Sequence, residues 1–448
     1  MHSMTMRGLA LSVALGALFA VHGVSAQTQQ QRDWCYKDGS TDDQTIGGCT
    51  SVINGGAQGQ NLASAYSNRC FAYANKEEFG KALPDCDQAL KIAPNYANGY
   101  NNRGNVQYLM GEYEKAFQDF DKAIKLDPNF ALAFNNRGLT YQNWKHEYDK
   151  ALPDYDKAIK LTPNYADAWE NRGRTWSAKK DYDKAIADLT QAIKLRPTRP
   201  ETYNSRGLAY GSKSQWELAI KDYDQALKYK PNYPEAFVNR GIAHRNAGQY
   251  ELAVQDYDEA IKLRPEYSIA YNNRGNAYRY MKQWDRAIED FNQALKLNPK
   301  YSLALRNRAL SKEGKADWEG AVADYDLATK LDPNDTEAWN GACWDRSVIG
   351  KAARALADCN AGLLIDPAHG EMLDSRGFAY LNLKLYDASI ADYSQALKLM
   401  PKKSASLYGR GLARRANGDK EGGDADVEAA LKVNPDIPKS FAEWGYKQ

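Results

Sequence analysis

The chain has 448 residues, 59 basic and 57 acidic side chains, and 43% hydrophobic residues. A balance this close to neutral leaves no basic footprint for nucleic acid or an anionic membrane surface. Length alone would suggest about three ordinary domains, but most of the chain is a repeated sentence, and a repeat array shares one continuous core whatever its length.

Residues 1–26 read as a leader apart from the fold. Arg7 gives a basic start, Leu9 to Val21 is an uncharged apolar run, and Val24-Ser25-Ala26 ends it in small residues at the spacing of a secretory signal peptide. The run is short for a membrane span and no Cys follows Ala26. The mature chain from Gln27 is therefore expected to be exported, periplasmic or secreted from a bacterium, with no membrane span of its own. Residues 27–62 follow as a partial repeat that caps the amino end, with Trp34, Cys35 and Tyr36 on one segment and Ile46, Cys49, Val52 and Ile53 on the next. Gly55-Gly56-Ala57-Gln58-Gly59 has the flavour of a phosphate loop, but it follows a helix and no Lys-Ser/Thr comes after it, so it reads as a plain loop.

Residues 63–435 carry eleven tandem copies of one unit, clearest from Ser268 to Tyr301. There Ala270, Tyr271, Arg274, Gly275 and Tyr278 recur at helical spacing, as do Ala287, Ile288, Phe291, Ala294 and Leu295, and Asn298-Pro299 stops the second helix. Neither helix can bury its apolar face within 34 residues, so the unit must stack on copies of itself. The closing prolines, from Pro94 to Pro435, stand 34 residues apart except for one step of 35, whose extra residue is expected in the loop near His146. Residues 436–448, with Pro438 suited to a first turn and Ile437, Phe441 and Trp444 on one face, are expected to form a capping helix over the last repeat.

An aromatic such as Trp169 or Tyr271, Gly four residues on, Tyr three further, an Ala opening the second helix, an aromatic four later and a closing Pro together resemble the tetratricopeptide repeat. The variant here carries Asn-Arg-Gly, as at Asn102-Arg103-Gly104, Asn136-Arg137-Gly138 and Asn273-Arg274-Gly275. The ninth copy departs furthest, with Gly341-Ala342-Cys343-Trp344. The resemblance implies an all-α fold, a right-handed α-solenoid superhelix of helix-turn-helix units. Its concave face, lined by first helices, would bind partner segments.

Arg precedes the Gly register in ten of the eleven copies, from Arg69 to Arg410, and Asp recurs on the second helix in all eleven, from Asp85 to Asp426. Charges placed so strictly beside core positions must be paired, which suggests an Arg-Asp ladder along the array. Cys70 and Cys343 stand in the Gly register of their copies, and Cys86 and Cys359 stand in the second-helix aromatic register of the same two copies; Cys35 and Cys49 look like a third such pair with a shorter loop. Small buried thiols would also fit, but in an exported chain the pairing reads as three disulfides. No His/Cys/Asp spacing fits a zinc site, and no Ser nucleophile motif or cofactor fingerprint is present.

Carried onto this sequence, the concave face gives an Asn register at Asn68, Asn102, Asn136, Asn171, Asn239, Asn273 and Asn307. Beside it run stripes at helical spacing, with Asn101, Asn105 and Tyr108 in one copy, Asn135 in the next, and Asn272, Asn276 and Arg279 in another. Amides both donate and accept, so this row is expected to satisfy the backbone of an extended peptide. The expected function is a non-enzymatic scaffold of the bacterial envelope that binds a protein or peptide partner, with no cofactor, metal or nucleic acid. The alternatives are a carbohydrate-binding accessory factor for envelope polysaccharide, since Asn and Tyr also suit sugars, and an enzyme, for which no acid-base constellation appears.

Overall fold

A computed structural model describes residues 28–446, and the expected leader lies outside them. The described chain is all-α, a solenoid of helical hairpins, and it divides into two compact units at Pro231 and Asn232. The first unit opens with the hairpin Gln29–Tyr36 and Asp42–Asn54 and continues through five full repeats, ending at Trp216–Tyr229. The second unit runs from Pro234–Asn246 through six repeats to Lys420–Val433, followed by the short helix Ile437–Glu443. The first full repeat begins at Gly59, four residues before the expected boundary, because its first helix, Gly59–Asn75, is one turn longer than its counterparts.

Each hairpin closes on small-to-large contacts between its two helices. A Cβ at Gly104 would lie 2.8 Å from the Phe120 ring, at Gly207 2.7 Å from Tyr223, and at Gly275 2.8 Å from Phe291. The glycine register is thus set by the ring opposite, and the rings themselves are fully buried. In two repeats a disulfide takes the place of this contact, Cys70–Cys86 and Cys343–Cys359, each with Cα atoms 5.4 Å apart, and Cys35–Cys49 bridges the amino-terminal hairpin. All three expected pairs are present, and the six cysteines leave no free thiol.

Every full hairpin turns on one residue in the left-handed region, at the same register each time. Gly fills it at Gly111, Gly248, Gly350 and Gly418; elsewhere it is Glu77, His146, Lys180, Ser214, Lys282, Ala316 or Lys384. The single extra residue of the third repeat is not accommodated by a longer loop. It widens the end of the first helix into a π-helical turn, Tyr141–Lys145, closed by His146 at φ 53°. The turn geometry is thereby kept, because the wider helical turn absorbs one residue without changing how the hairpin closes.

The terminal segment packs on the last repeat and reaches further, across the first helices of the last three repeats. Phe441 meets Phe378 edge-on at 5.5 Å and Tyr408 at 4.9 Å, while Trp444 meets Trp344 at 4.8 Å. Ile437 and Phe441 are each 2% exposed in the resulting core.

The first-helix face as a candidate partner-binding site

The site is built on the Arg-Asp ladder, which holds the first and second helices of each hairpin in register. Arg274 Nε and Nη2 donate to Asp290 at 2.9 and 2.7 Å, and the same two-pronged fork joins Arg69 to Asp85, Arg103 to Asp119, Arg172 to Asp188 and Arg410 to Asp426. The third nitrogen reaches back one hairpin: Arg103 Nη1 donates to Asp87, Arg137 to Asp121, and Arg274 to Asp258. Each guanidinium therefore ties both its own hairpin and the preceding second helix. Burial pushes the Asp290 carboxyl up against the opposing pull of Arg274. In the ninth repeat the Arg register holds Ala342, and Arg346, one turn later, supplies the missing guanidinium to Asp358 and Asp326. A substitution that breaks the sequence pattern leaves the charge pairing intact.

The Asn register behaves differently from its expected role. Asn101, Asn102, Asn105, Asn135, Asn136, Asn272, Asn273, Asn276 and Asn307 are buried, and Asn68, Tyr108, Asn171, Asn239 and Arg279 are half-buried. Several of these amides join one hairpin to the next, while Asn276 accepts from Arg279 on its own helix. In the first unit a relay runs from Asn171 Nδ2 to Asn135 Oδ1 at 2.9 Å and from Asn135 to Asn136 at 3.2 Å. It continues from Asn136 to Asn101 at 3.0 Å, from Asn101 to Asn102 at 3.4 Å, and from Asn102 to Ser67 Oγ at 2.9 Å. Asn68 Nδ2 donates to the Cys35 carbonyl at 2.9 Å, and in the second unit Asn307 donates to Asn272 at 3.0 Å. Side chains expected to meet a partner's backbone are thus engaged in stacking the repeats. Where the register changes, the link survives: Thr202 donates to Glu170 at 2.6 Å and Ser375 to Asn340 at 2.8 Å.

Above this relay, the side chains that reach solvent differ between units. In the first unit they are Tyr108, Asn143, Arg174 and Leu208, with Leu208 47% exposed. In the second they are Ile242, Arg245 and Arg279; Arg245 Nη1 donates to Asn273 at 3.3 Å and Arg279 Nε to Asn276 at 3.2 Å. Beyond Arg279 lies a buried acidic pair. Tyr325 donates to Glu313 at 2.5 Å, while Asp345, fully buried, has both carboxylate oxygens without a hydrogen-bond partner. Desolvation first, and the Glu313 charge second, push Asp345 up to about 9, so it stays protonated at neutral pH.

Over the last three repeats the same face turns apolar, with Trp344, Phe378, Tyr408 and Leu412 packed against the terminal segment. The sequence reading did not single out these residues. Their signal was weak: the register of Trp344, Phe378 and Leu412 holds Asn105, Arg174 and Asn276 in some earlier copies but Leu139, Leu208, Ile242 and Leu310 in others, so only the two aromatic rings together with the apolar stripe Ile437, Phe441 and Trp444 mark this end. Among the described residues no group of three or more His, Cys, Asp and Glu side chains could hold a metal ion, and no helix is long and apolar enough to cross a membrane.

Comparison with known proteins gives one consistent result. Tetratricopeptide repeat models match residues 97–130, 268–301, 204–268, 120–152 and 371–403, and a TPR repeat model matches 145–175 and 178–214. No curated protein matches the chain. Similar solved structures include YrrB, described as a TPR protein with an unusual peptide-binding site, at 23% identity over 41% of this chain and 95% of that one, TM-score 0.36. The MamA protein is similar at 24% identity over 38% of this chain and 92% of its own, TM-score 0.35. A tetratricopeptide repeat protein from Parabacteroides merdae is 20% identical over 55% of this chain and 98% of its own, TM-score 0.44.

Proposed function

Since this chain belongs to the tetratricopeptide repeat family, we propose that it is a non-catalytic scaffold that receives protein or peptide segments on its first-helix faces. The observation that carries the reading lies in the second unit, where the chain's own terminal segment occupies that face through Phe441 and Trp444. A face that accepts a short aromatic helix in cis has the shape and apolar character to accept one in trans. In the first unit the corresponding face carries Tyr108, Arg174 and Leu208 at solvent-reachable positions, above a relay of amides that fixes the helices of Tyr108 and Arg174 and a Thr202–Glu170 bond that ties on the helix of Leu208. That is a preorganised surface, and preorganisation lowers the entropic cost of binding. The three disulfides support an oxidising, exported setting, the bacterial envelope in our reading.

A photoreactive residue placed at Tyr108, Arg174 or Leu208 is expected to capture a discrete partner in the native envelope. The same residue at Lys122, on the exposed side of a second helix, is expected to capture none. Capture from Lys122 alone would move the interface to the second helices and overturn the proposal.

A further inference from the structure

The folded-back segment does not close fully on the helices beneath it. Between them is a cavity of about 450 Å³, with Asn340, Trp344, Asp374, Lys403, Asn434 and Trp444 in its walls, within the size range of small-molecule sites. Its charges do not cancel. Lys403 Nζ lies 2.5 Å from Glu371 Oε2, so these two lining residues neutralise each other. Asp374 remains, 5% exposed, with a hydrogen bond from the Ser406 hydroxyl to one oxygen and, among the described residues, no cation at salt-bridge distance; Lys403, paired with Glu371, acts on it only through space. Burying such a carboxylate is costly unless a counter-charge arrives.

The other walls restrict what can supply that charge. Trp344 and Trp444 meet nearly perpendicular, at 82°, and bring indole surface to the cavity; indole faces attract cations and cover the apolar face of a saturated ring. Ser375 occupies Asn340 Oδ1 and the Asp436 amide occupies Asn434 Oδ1, at 2.8 and 3.0 Å. Each side chain also carries an Nδ2 donor, to which a ligand oxygen is the complement. We propose that this cavity binds a compact ammonium ion that also carries hydroxyl groups, the chemistry of an amino sugar. Asp374 receives the ammonium, the tryptophans cover the ring, and the two amides donate to its oxygens. This site is separate from partner capture on the first unit, and either can stand without the other.

Burial raises Asp374 to about 6, opposed by the Ser406 hydrogen bond and then by Lys403, while the Glu371 charge adds to the rise; the buried Tyr393 hydroxyl also feels its charge. A bound cation favours the ionised carboxylate, so affinity should fall as pH drops through that value. Titration calorimetry and tryptophan fluorescence on the full chain, with glucosamine against glucose at pH 7, test the idea. Glucosamine is expected to bind at least tenfold tighter than glucose, and to lose at least tenfold in Asp374→Asn, whose side-chain oxygen still accepts from Ser406. Wild-type affinity should also fall between pH 7 and pH 5, a reading that does not depend on the variant folding. Equal binding of the two sugars, no saturable binding of either, or an affinity unchanged by pH would each overturn the proposal.

Discussion

Each Arg274–Asp290 type fork places a carboxylate that is almost fully buried against a guanidinium that is about one-fifth exposed. Removing one partner leaves the other charge buried without compensation, and the penalty for that exceeds any gain from the pair itself. Asp290→Ala should therefore destabilise the second unit by about 3 kcal/mol in urea unfolding, and a variant that unfolds at the wild-type midpoint would mean the fork is not structural. The amide relay makes a similar demand on a smaller scale. Asn136→Ala strands Asn101 Oδ1 and should cost about 1–3 kcal/mol, an effect the sequence reading did not expect when it took these amides to face a partner. Asp345 contributes with the opposite pH sense from a paired acid. Its folded pKa lies above its unfolded value, so its contribution is complete below pH ~4 and is lost as pH rises toward about 9. Asp345→Asn should flatten that part of the stability profile and raise the melting temperature at pH 8 relative to wild type, with Glu313 and Tyr325 still in place. A variant profile parallel to wild type from pH 5 to 9 would show that Asp345 does not titrate in this way.

At the level of the helical hairpin, the recurring left-handed residue is the place where sequence and geometry disagree most. Non-Gly residues pay about 1 kcal/mol or more in that conformation, yet seven of the eleven turns use one. Lys282, at φ 58°, is an exposed side chain. Lys282→Gly is accordingly expected to stabilise by about 0.5–1 kcal/mol, read as a shift of the denaturation midpoint at unchanged slope. A loss of stability would mean that the added freedom of the unfolded glycine outweighs the relieved strain. The π-helical turn at Tyr141–Lys145 follows the same logic, since the hairpin preserves its left-handed closing residue at His146 and lets the helix take the insertion. The disulfides belong to this scale too: they join the two helices of one hairpin at the registers where a small residue meets a larger side chain in the others, most often Gly against an aromatic ring.

For the molecule as a whole, an array of hairpins is stabilised by nearest-neighbour interfaces, so each unit answers mainly to changes within itself. The terminal segment is an exception in reach, because it bridges three hairpins of the second unit at once. Phe441→Ala removes a ring from a core where it is 2% exposed and should cost about 3–5 kcal/mol. It should also uncover Phe378 and Tyr408, increasing binding of a hydrophobic dye. Unchanged stability together with unchanged dye binding would show that the segment does not rest on that face in solution.

The sequence by itself determined the regular pairing within one hairpin. Ala, Gly and aromatic registers, the Arg-Asp fork and the cysteine pairs join positions about 16 residues apart, a separation that the antiparallel hairpin fixes in every copy, so the period alone identifies the partners. Only the tertiary structure decided what lies between hairpins. Whether Asn101 meets a partner or Asn136 depends on how the next copy is stacked, and a polar side chain at helical spacing reads the same in both cases. The reach of Arg346 to Asp326 on the preceding hairpin and the destination of Phe441 and Trp444 were hidden for the same reason. An amphipathic segment encodes that it must bury one face, but which of several apolar surfaces it covers is settled by where the folded chain brings them within reach.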